Sequence, residues 1–315
     1  MSNHTTVTTF LLLGFPSVHH QEYLIAITFL ASYAAILVGN LLIIALIFSD
    51  RDLYRPMYFF LCNLSSLEIF ITTSIIPKAV GSLLMSSKTI SYQACMTQCY
   101  FYSLLGSIEF ILLAVMSYDR YAAICYPLQY PMLMNSRLCL QLLLGSWCAG
   151  FLFTIVPTVL VVRLPFCSAN HIDHFFCDSM LLIKLSCAET QTVELVSFMT
   201  SFIILFGSLI MTAVSYLYII KTILRLPSTS SRNKAFSTCS SHFTIVILGY
   251  GSCIFLYVRP SIQCVSYNKA VALINTLVTP LMSPFIFSLR NQQMKDALKV
   301  SLKRSVTISR KCLPF

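Results

Sequence analysis

The chain has 315 residues, of which 57% are hydrophobic and only 10% charged, with 21 Lys and Arg against 11 Asp and Glu. A soluble domain carries roughly 25% charged residues, so too little charge is present to clothe a water-facing surface. The composition excludes an ordinary soluble domain and points to a bilayer.

Seven apolar stretches follow in chain order: Tyr23 to Phe48, Met57 to Pro77, Gln93 to Tyr118, Leu138 to Val162, Leu195 to Ile220, Ala235 to Val258 and Ala270 to Leu289. About 20 residues of helix cross the roughly 30 Å of hydrocarbon, and lipid offers no partner to a bare amide, so each stretch is expected to be helical. Five stretches hold no Asp, Glu, Lys or Arg; the second holds only Glu68 and the third only Glu109. The expected fold class is an all-α membrane protein, one seven-transmembrane bundle over residues 1–315, with residues 1–22 outside the cell and 291–315 as a cytoplasmic tail.

Orientation follows from the basic residues. Fifteen of them fall on one side: Arg51, Arg55, Arg120, Arg137, Lys221, Arg225, Arg232, Lys234 and seven in the tail. Six fall on the other: Lys78, Lys88, Arg163, Lys184, Arg259 and Lys269. The richer side is cytoplasmic, which puts the N-terminus outside; a multi-pass plasma-membrane location is expected. The net charge of +10 is then a topology signal, and no nucleic-acid partner is expected. Residues 1–22 lack the positive start of a signal peptide, so the first span is expected to act as the targeting signal. Asn3-His4-Thr5 is a glycosylation sequon on the outer side. Asn63-Leu64-Ser65, inside a span, is expected to be silent.

Most loops are short, but Arg163 to Val193 is an outer loop of about thirty residues, a length that in a compact domain marks a functional or tied segment. It carries Cys167, Cys177 and Cys187, and Cys95 opens the third span on the same side. Four cysteines in an oxidising compartment favour two disulfides, for which three pairings exist. His171 and His174 lie near Cys177 and invite a metal reading, which is disfavoured because a cysteine in a disulfide offers no thiolate. After the seventh span, Met294, Ala297, Leu298 and Ser301 line one face of a helical period and Lys295, Lys299 and Lys303 recur every four residues. That pattern suits a short helix lying on the anionic inner leaflet.

Several motifs then carry a resemblance. Met116 to Cys125 reads MSYDRYAAIC, Pro56 to Leu61 reads PMYFFL, and Lys234 to His242 reads KAFSTCSSH. Ser215-Tyr216 falls in the fifth span, Pro284 to Asn291 reads PFIFSLRN, and Phe10 to Phe15 reads FLLLGF. In this order on these spans they resemble the odorant receptors of the rhodopsin-like (class A) G-protein-coupled family, over nearly the whole chain.

The resemblance implies a small, neutral odorant bound in the outer part of the bundle at Tyr102, Ser103, Gly106, Ser107, Thr200, Ile204, Tyr250, Cys253, Ile254, Tyr257 and Thr276. None of these is charged, and no third-span aspartate offers an amine a counter-ion. It also implies a heterotrimeric G protein as cytoplasmic partner, received through Asp119, Arg120, Tyr121, Tyr216, His242 and Pro284, with cyclic AMP as the output. An arginine at Arg120 suits that task, since its planar fork of donors meets carboxylates and backbone carbonyls alike. The implied disulfides are Cys95–Cys177 and Cys167–Cys187.

Glu68 and Glu109 are the only charged residues inside the spans, and buried ionisable groups in lipid are costly and usually functional. By resemblance they form a sodium site; no other cofactor or metal is expected. Aspartate is usual where Glu68 stands. The seventh span reads Ser283-Pro284-Phe285-Ile286-Phe287 where NPxxY is usual, so an amide and a tyrosine hydroxyl are missing. Gly249 and Gly251 flank Tyr250 and ease bending there. The alternative functional reading is a class A receptor for a non-odorant small molecule or a lipid. An enzyme is not expected, because no HExxH, phosphate loop or GxSxG occurs.

Overall fold

The computed structural model describes residues 7–15, 21–85, 88–167, 170–258, 265–290 and 293–300. The protein is a seven-transmembrane bundle. Its spans are α1 (Glu22–Ser49), α2 (Pro56–Leu84), α3 (Tyr92–Cys125), α5 (Ser136–Val162), α7 (Gln191–Arg225), α8 (Thr229–Val258) and a seventh built from α9 (Val265–Leu273) and α10 (Thr279–Arg290). Short helices α4 (Tyr130–Leu133) and α6 (Ser179–Leu185) lie in loops. Residues 293–300 are helical, with Met294 and Ala297 buried and Lys299 exposed, as the amphipathic period requires. Lipid-facing side chains such as Leu24, Ile27, Leu152 and Leu217 are exposed on the outside of the bundle. The inward residues form a main core from Ala26 to Ala297, with smaller clusters around Phe10 and around Tyr216.

The seventh span departs from the uninterrupted helix expected over Ala270 to Leu289. Ile274–Val278 forms a π turn between α9 and α10. Proline supplies the reason. Pro280 has no N–H for the Thr276 carbonyl four residues back and its ring crowds that carbonyl, a conflict that a wider turn relieves. Pro284 likewise leaves the Pro280 carbonyl without a helical donor, and Asn40 Nδ2 reaches it from α1 at 3.5 Å. α1 approaches closely enough only because residue 39 is glycine; a Cβ there would stand 2.8 Å from Pro284 Cγ.

The N-terminal end of the bundle carries a small sheet that the hydropathy pattern did not announce. β1 (Thr9–Leu12), from the FLLLGF segment, runs antiparallel to β2 (Thr89–Ser91) and parallel to β3 (His171–Ile172). Phe10 and Leu12 turn inward, and Phe10 packs edge-on against Phe166 with ring centroids 5.3 Å apart. The long outer loop is therefore structured, by β3 and by α6. Disulfides Cys95–Cys177 and Cys167–Cys187 tie it down.

Candidate functional site: a cavity and a polar cluster at opposite ends of the bundle

Beneath the outer loop lies a cavity of about 290 Å³ between α3, α5, α7, α8 and the seventh span. Its roof is positioned by backbone chemistry. Gln98 of α3 accepts the Cys177 amide at 2.9 Å and donates to the Ser74 carbonyl of α2 at 2.7 Å. Asp178 caps α6, accepting the amides of Met180 and Leu181 at 3.0 and 3.3 Å. Such capping satisfies amides that a helix start leaves without partners. Phe176 stands edge-on to Tyr102, ring centroids 4.8 Å apart. His174 is buried against Phe175 and Phe176, and burial, helped by nearby Lys269, depresses its pKa to about 4. Lys269, at the outer end of the seventh span, pairs with Asp173 at 2.5 Å.

Of the residues expected to meet a ligand, Tyr102, Ser103, Gly106 and Ser107 of α3, Thr200 and Ile204 of α7, and Cys253 of α8 line this cavity. Three expected positions do not. Tyr250 is buried below it, where its hydroxyl donates to the Phe110 carbonyl at 3.1 Å and so ties α8 to α3. Ile254 packs against the core. Thr276 is buried, with its hydroxyl given to the Ala272 carbonyl. The π turn changes which faces of the seventh span point inward, and Asn275 and Thr279 line the cavity instead. The side chain of Tyr257 and the sequon at Asn3 lie outside the described residues.

The expectation of an uncharged cavity is corrected. Glu109 and Asp178 both line it. Sequence reasoning singled out Glu109 as an intramembrane charge but assigned it to an ion site; its half-buried side chain opens onto the cavity. The α5 hydroxyls Thr154 and Thr158 also line it and were missed. They sit four residues apart on one helix face, a spacing that was readable, but nothing in the sequence says which face of that span turns inward.

Below the cavity, Glu68 is fully buried and neither carboxyl oxygen is in a well-formed hydrogen bond. Asn40 Oδ1, Ser65 Oγ and Ser283 Oγ are also buried and unpartnered. The Ser283 and Asn40 side chains interact with the Glu68 carboxyl, and Glu109 is close enough to repel it. Ser65 lies one helical turn from Glu68. Among the described residues, no three His, Cys, Asp or Glu converge in a metal-binding group.

At the opposite end of the bundle, Arg120 Nη2 and Nε meet Asp119 Oδ2 at 2.8 and 3.2 Å. The other carboxylate oxygen accepts the Tyr130 hydroxyl of α4 at 2.7 Å. Asp119 is fully buried and Arg120 nearly so. Tyr216 of α7 and His242 of α8 share a hydrogen bond of 2.7 Å between hydroxyl and Nδ1. Tyr121 packs among Tyr118, Tyr126 and Tyr218. Pro284 is buried against α1 at Gly39.

A family model described as olfactory receptor matches residues 29–304. Olfactory receptor 6T1 of Homo sapiens is 49% identical over 95% of this chain and 93% of its own length. Olfactory receptor 6E1 of Mus musculus is 49% identical over 95% of this chain and 96% of its own. Olfactory receptor 6C2 of Homo sapiens is 46% identical over 99% of this chain and 100% of its own.

Proposed function

The chain belongs to the olfactory receptor family, and from that premise we propose that it binds a volatile-sized odorant in the outer cavity and activates a stimulatory G protein, raising cyclic AMP. The N-terminus faces the outside and the Asp119–Arg120 end faces the cytoplasm, in keeping with fifteen basic residues on that side against six. The observation that carries the reading is the cavity itself, which lies between five spans under a roof tied by Cys95–Cys177. Pockets of this kind, mostly apolar with a few polar groups, suit small ligands.

An odorant of about 12 heavy atoms at roughly −0.4 kcal/mol per atom binds with a Kd near 0.1–1 mM. Weak binding suffices, because a ligand activates only by its preference for the active arrangement. In this reading the closed state is held by the Asp119–Arg120 pair with Tyr130, by the Tyr216–His242 bond, and by the Tyr250 tie to α3. Ligand contacts on α3 and α8 loosen the last of these. α8 then moves away from α3, and Arg120 becomes free to meet carbonyl groups of the docking G protein.

The oxygens of Glu68, Asn40, Ser65 and Ser283 fit a sodium ion, since hard cations take oxygen donors and these are buried without partners. Bound there, the ion supplies a positive charge that steadies Glu68 in the closed state. Glu109 adds its field to the site while its side chain lines the cavity.

The test is an odorant panel on cells expressing the full chain with a stimulatory G protein. A dose-dependent rise in cyclic AMP, absent without that G protein, is expected. Silence across the panel in cells with the receptor at their surface, or ion flux without G protein, overturns the reading.

A further inference from the structure

Three residues that line the cavity are also open to the outside of the bundle. Val162, at the end of α5, is 41% exposed, Met180 of α6 is 38% exposed, and Ser201 of α7 is exposed as well. Ser201 is the informative one. It stands four residues after Ser197, three before Ile204 and seven before Ser208, and helical spacing puts all four on one face of α7. Ser197, Ile204 and Ser208 are buried. Ser201 therefore lies on the inward face of its helix with its side chain left uncovered.

α5 shows the same gap from its own side. Thr154, Thr158 and Val162 follow at four-residue spacing on one face, and all three line the cavity. Thr154 is buried, Thr158 half-buried and Val162 exposed, so cover is lost toward the roof.

The gap has closed edges. On the side of the polar cluster, Thr154 of α5 and Ile204 and Leu205 of α7 are buried. On the roof side, Val193 of α7 shares one apolar cluster with Val161 of α5 and with Leu182 and Ile183 of α6. What lies between is a window. From Ser197 to Ile204 it covers seven residues of α7, about 10 Å at 1.5 Å per residue. The described part of the roof is shut: Phe176, Cys177, Leu182 and Ile183 are fully buried, and Cys177 is bonded to Cys95 and held by Gln98. Val162 and Ser201 belong to helices apolar enough to cross a membrane, so the window opens on hydrocarbon.

We propose that the ligand enters the cavity sideways, from the outer leaflet of the bilayer, through the window between α5 and α7 and past Ser201. This rests on the odorant-binding reading of the same cavity. The bilayer then acts as the first filter on ligand class. Each added CH2 raises the concentration of a small molecule in lipid about fourfold, whereas an ion is held out of the hydrocarbon. The receptor samples uncharged molecules that dissolve in lipid, at their concentration in the membrane and not at the lower one in water.

The test follows alkylation of Cys253, which lines the cavity, on the full-length receptor in lipid nanodiscs. Cys148, exposed on α5, serves as the internal standard, and mass spectrometry reads the ratio of the two modifications. One reagent is a phospholipid with a maleimide at the end of an acyl chain, which stays in the bilayer. The others are added in water: N-ethylmaleimide, which is uncharged, and a sulfonated maleimide. The lipid-borne reagent is expected to modify Cys253 in the unaltered receptor, and the sulfonated one to leave it intact. Ser201→Trp and Val162→Trp each place a large ring in the window. Both are expected to lower the Cys253-to-Cys148 ratio at least tenfold for the lipid-borne reagent and for N-ethylmaleimide. The ratio cancels differences in the amount of receptor and of reagent.

Modification of Cys148 without Cys253 by the lipid-borne reagent overturns the proposal. So does an undiminished ratio for N-ethylmaleimide in both tryptophan variants, which would place the entrance elsewhere. Entry through the window in a receptor that no odorant activates leaves the proposal standing and overturns the signalling reading instead.

Discussion

The two ends of the bundle are held in different ways. The outer end is closed by two disulfides, a three-stranded sheet, the Gln98 bridge and the Lys269–Asp173 and Lys88–Glu22 ion pairs. The opposite end is held without a covalent tie among the described residues, by polar contacts such as Asp119 with Arg120 and Tyr130, Tyr216 with His242, Tyr58 with Gln293 and Cys125 with Thr222. A disulfide holds through any thermal fluctuation, whereas one hydrogen bond contributes about 1 kcal/mol. The contrast indicates that the outer end is a fixed frame around a cavity, and that a weakly bound ligand has enough energy to rearrange only the other end.

Breaking the outer frame has the largest expected effect. Cys177→Ser opens a link between residues 82 positions apart and is expected to cost about 2–5 kcal/mol. Surface labelling of intact cells should show little receptor. Cys167→Ser opens a 20-residue separation, and its loss should be smaller; equal losses would show that the tie to α3 has no special weight.

Acid probes the same frame more gently. His174 is buried neutral, with its pKa lowered to about 4 by burial and by Lys269. The unfolded chain takes up a proton near pH 6.5 while the folded one does not, so stability is full above that pH and declines as pH falls toward 4. Between pH 7 and pH 5 the loss should be about 2 kcal/mol. Thermal denaturation in nanodiscs at the two pH values checks this. His174→Phe should flatten the difference, and an unchanged pH dependence would contradict the assignment.

At the cytoplasmic end the effects should appear in signalling and leave surface level intact. Tyr130→Phe removes one of the hydrogen bonds to the buried Asp119 carboxylate. A loss of about 1–1.5 kcal/mol in the resting state raises the active population roughly five- to tenfold, which basal cyclic AMP reports. Phe287→Tyr is the mildest change. It restores a hydroxyl usual at that position in the family and should strengthen ligand-driven signalling about two- to threefold. Unchanged basal and driven signalling would show that the missing hydroxyl has no consequence.

The sequence carried the spans and the disulfide-rich loop plainly, because apolar runs and cysteines on one side of a membrane leave few alternatives. The N-terminal strand was hidden: Phe10 to Leu13 is only four apolar residues, and its sheet partners are about 80 and 160 positions away. The π turn was hidden for a different reason. Pro280 signals trouble in a helix, but whether a bundle answers with a kink, a break or a wide turn depends on neighbours such as Asn40 and Asn275. That unseen turn is why Thr276 was expected in the cavity and Asn275 and Thr279 were not. Glu109 was visible as a charge, but its direction was not: a period of 3.6 fixes relative faces on α3, and only packing fixes which face meets open space.

In the proposed function, a ligand in the cavity drives the Asp119–Arg120 end of the bundle. Gly106 tests it most directly, because it lines the cavity and a Cβ added there meets nothing within 4 Å. Gly106→Leu extends a side chain into that open space. The variant is expected at the cell surface, with its cyclic-AMP response to every active odorant lost or weakened at least tenfold. A full response from receptors whose cavity is filled would contradict it.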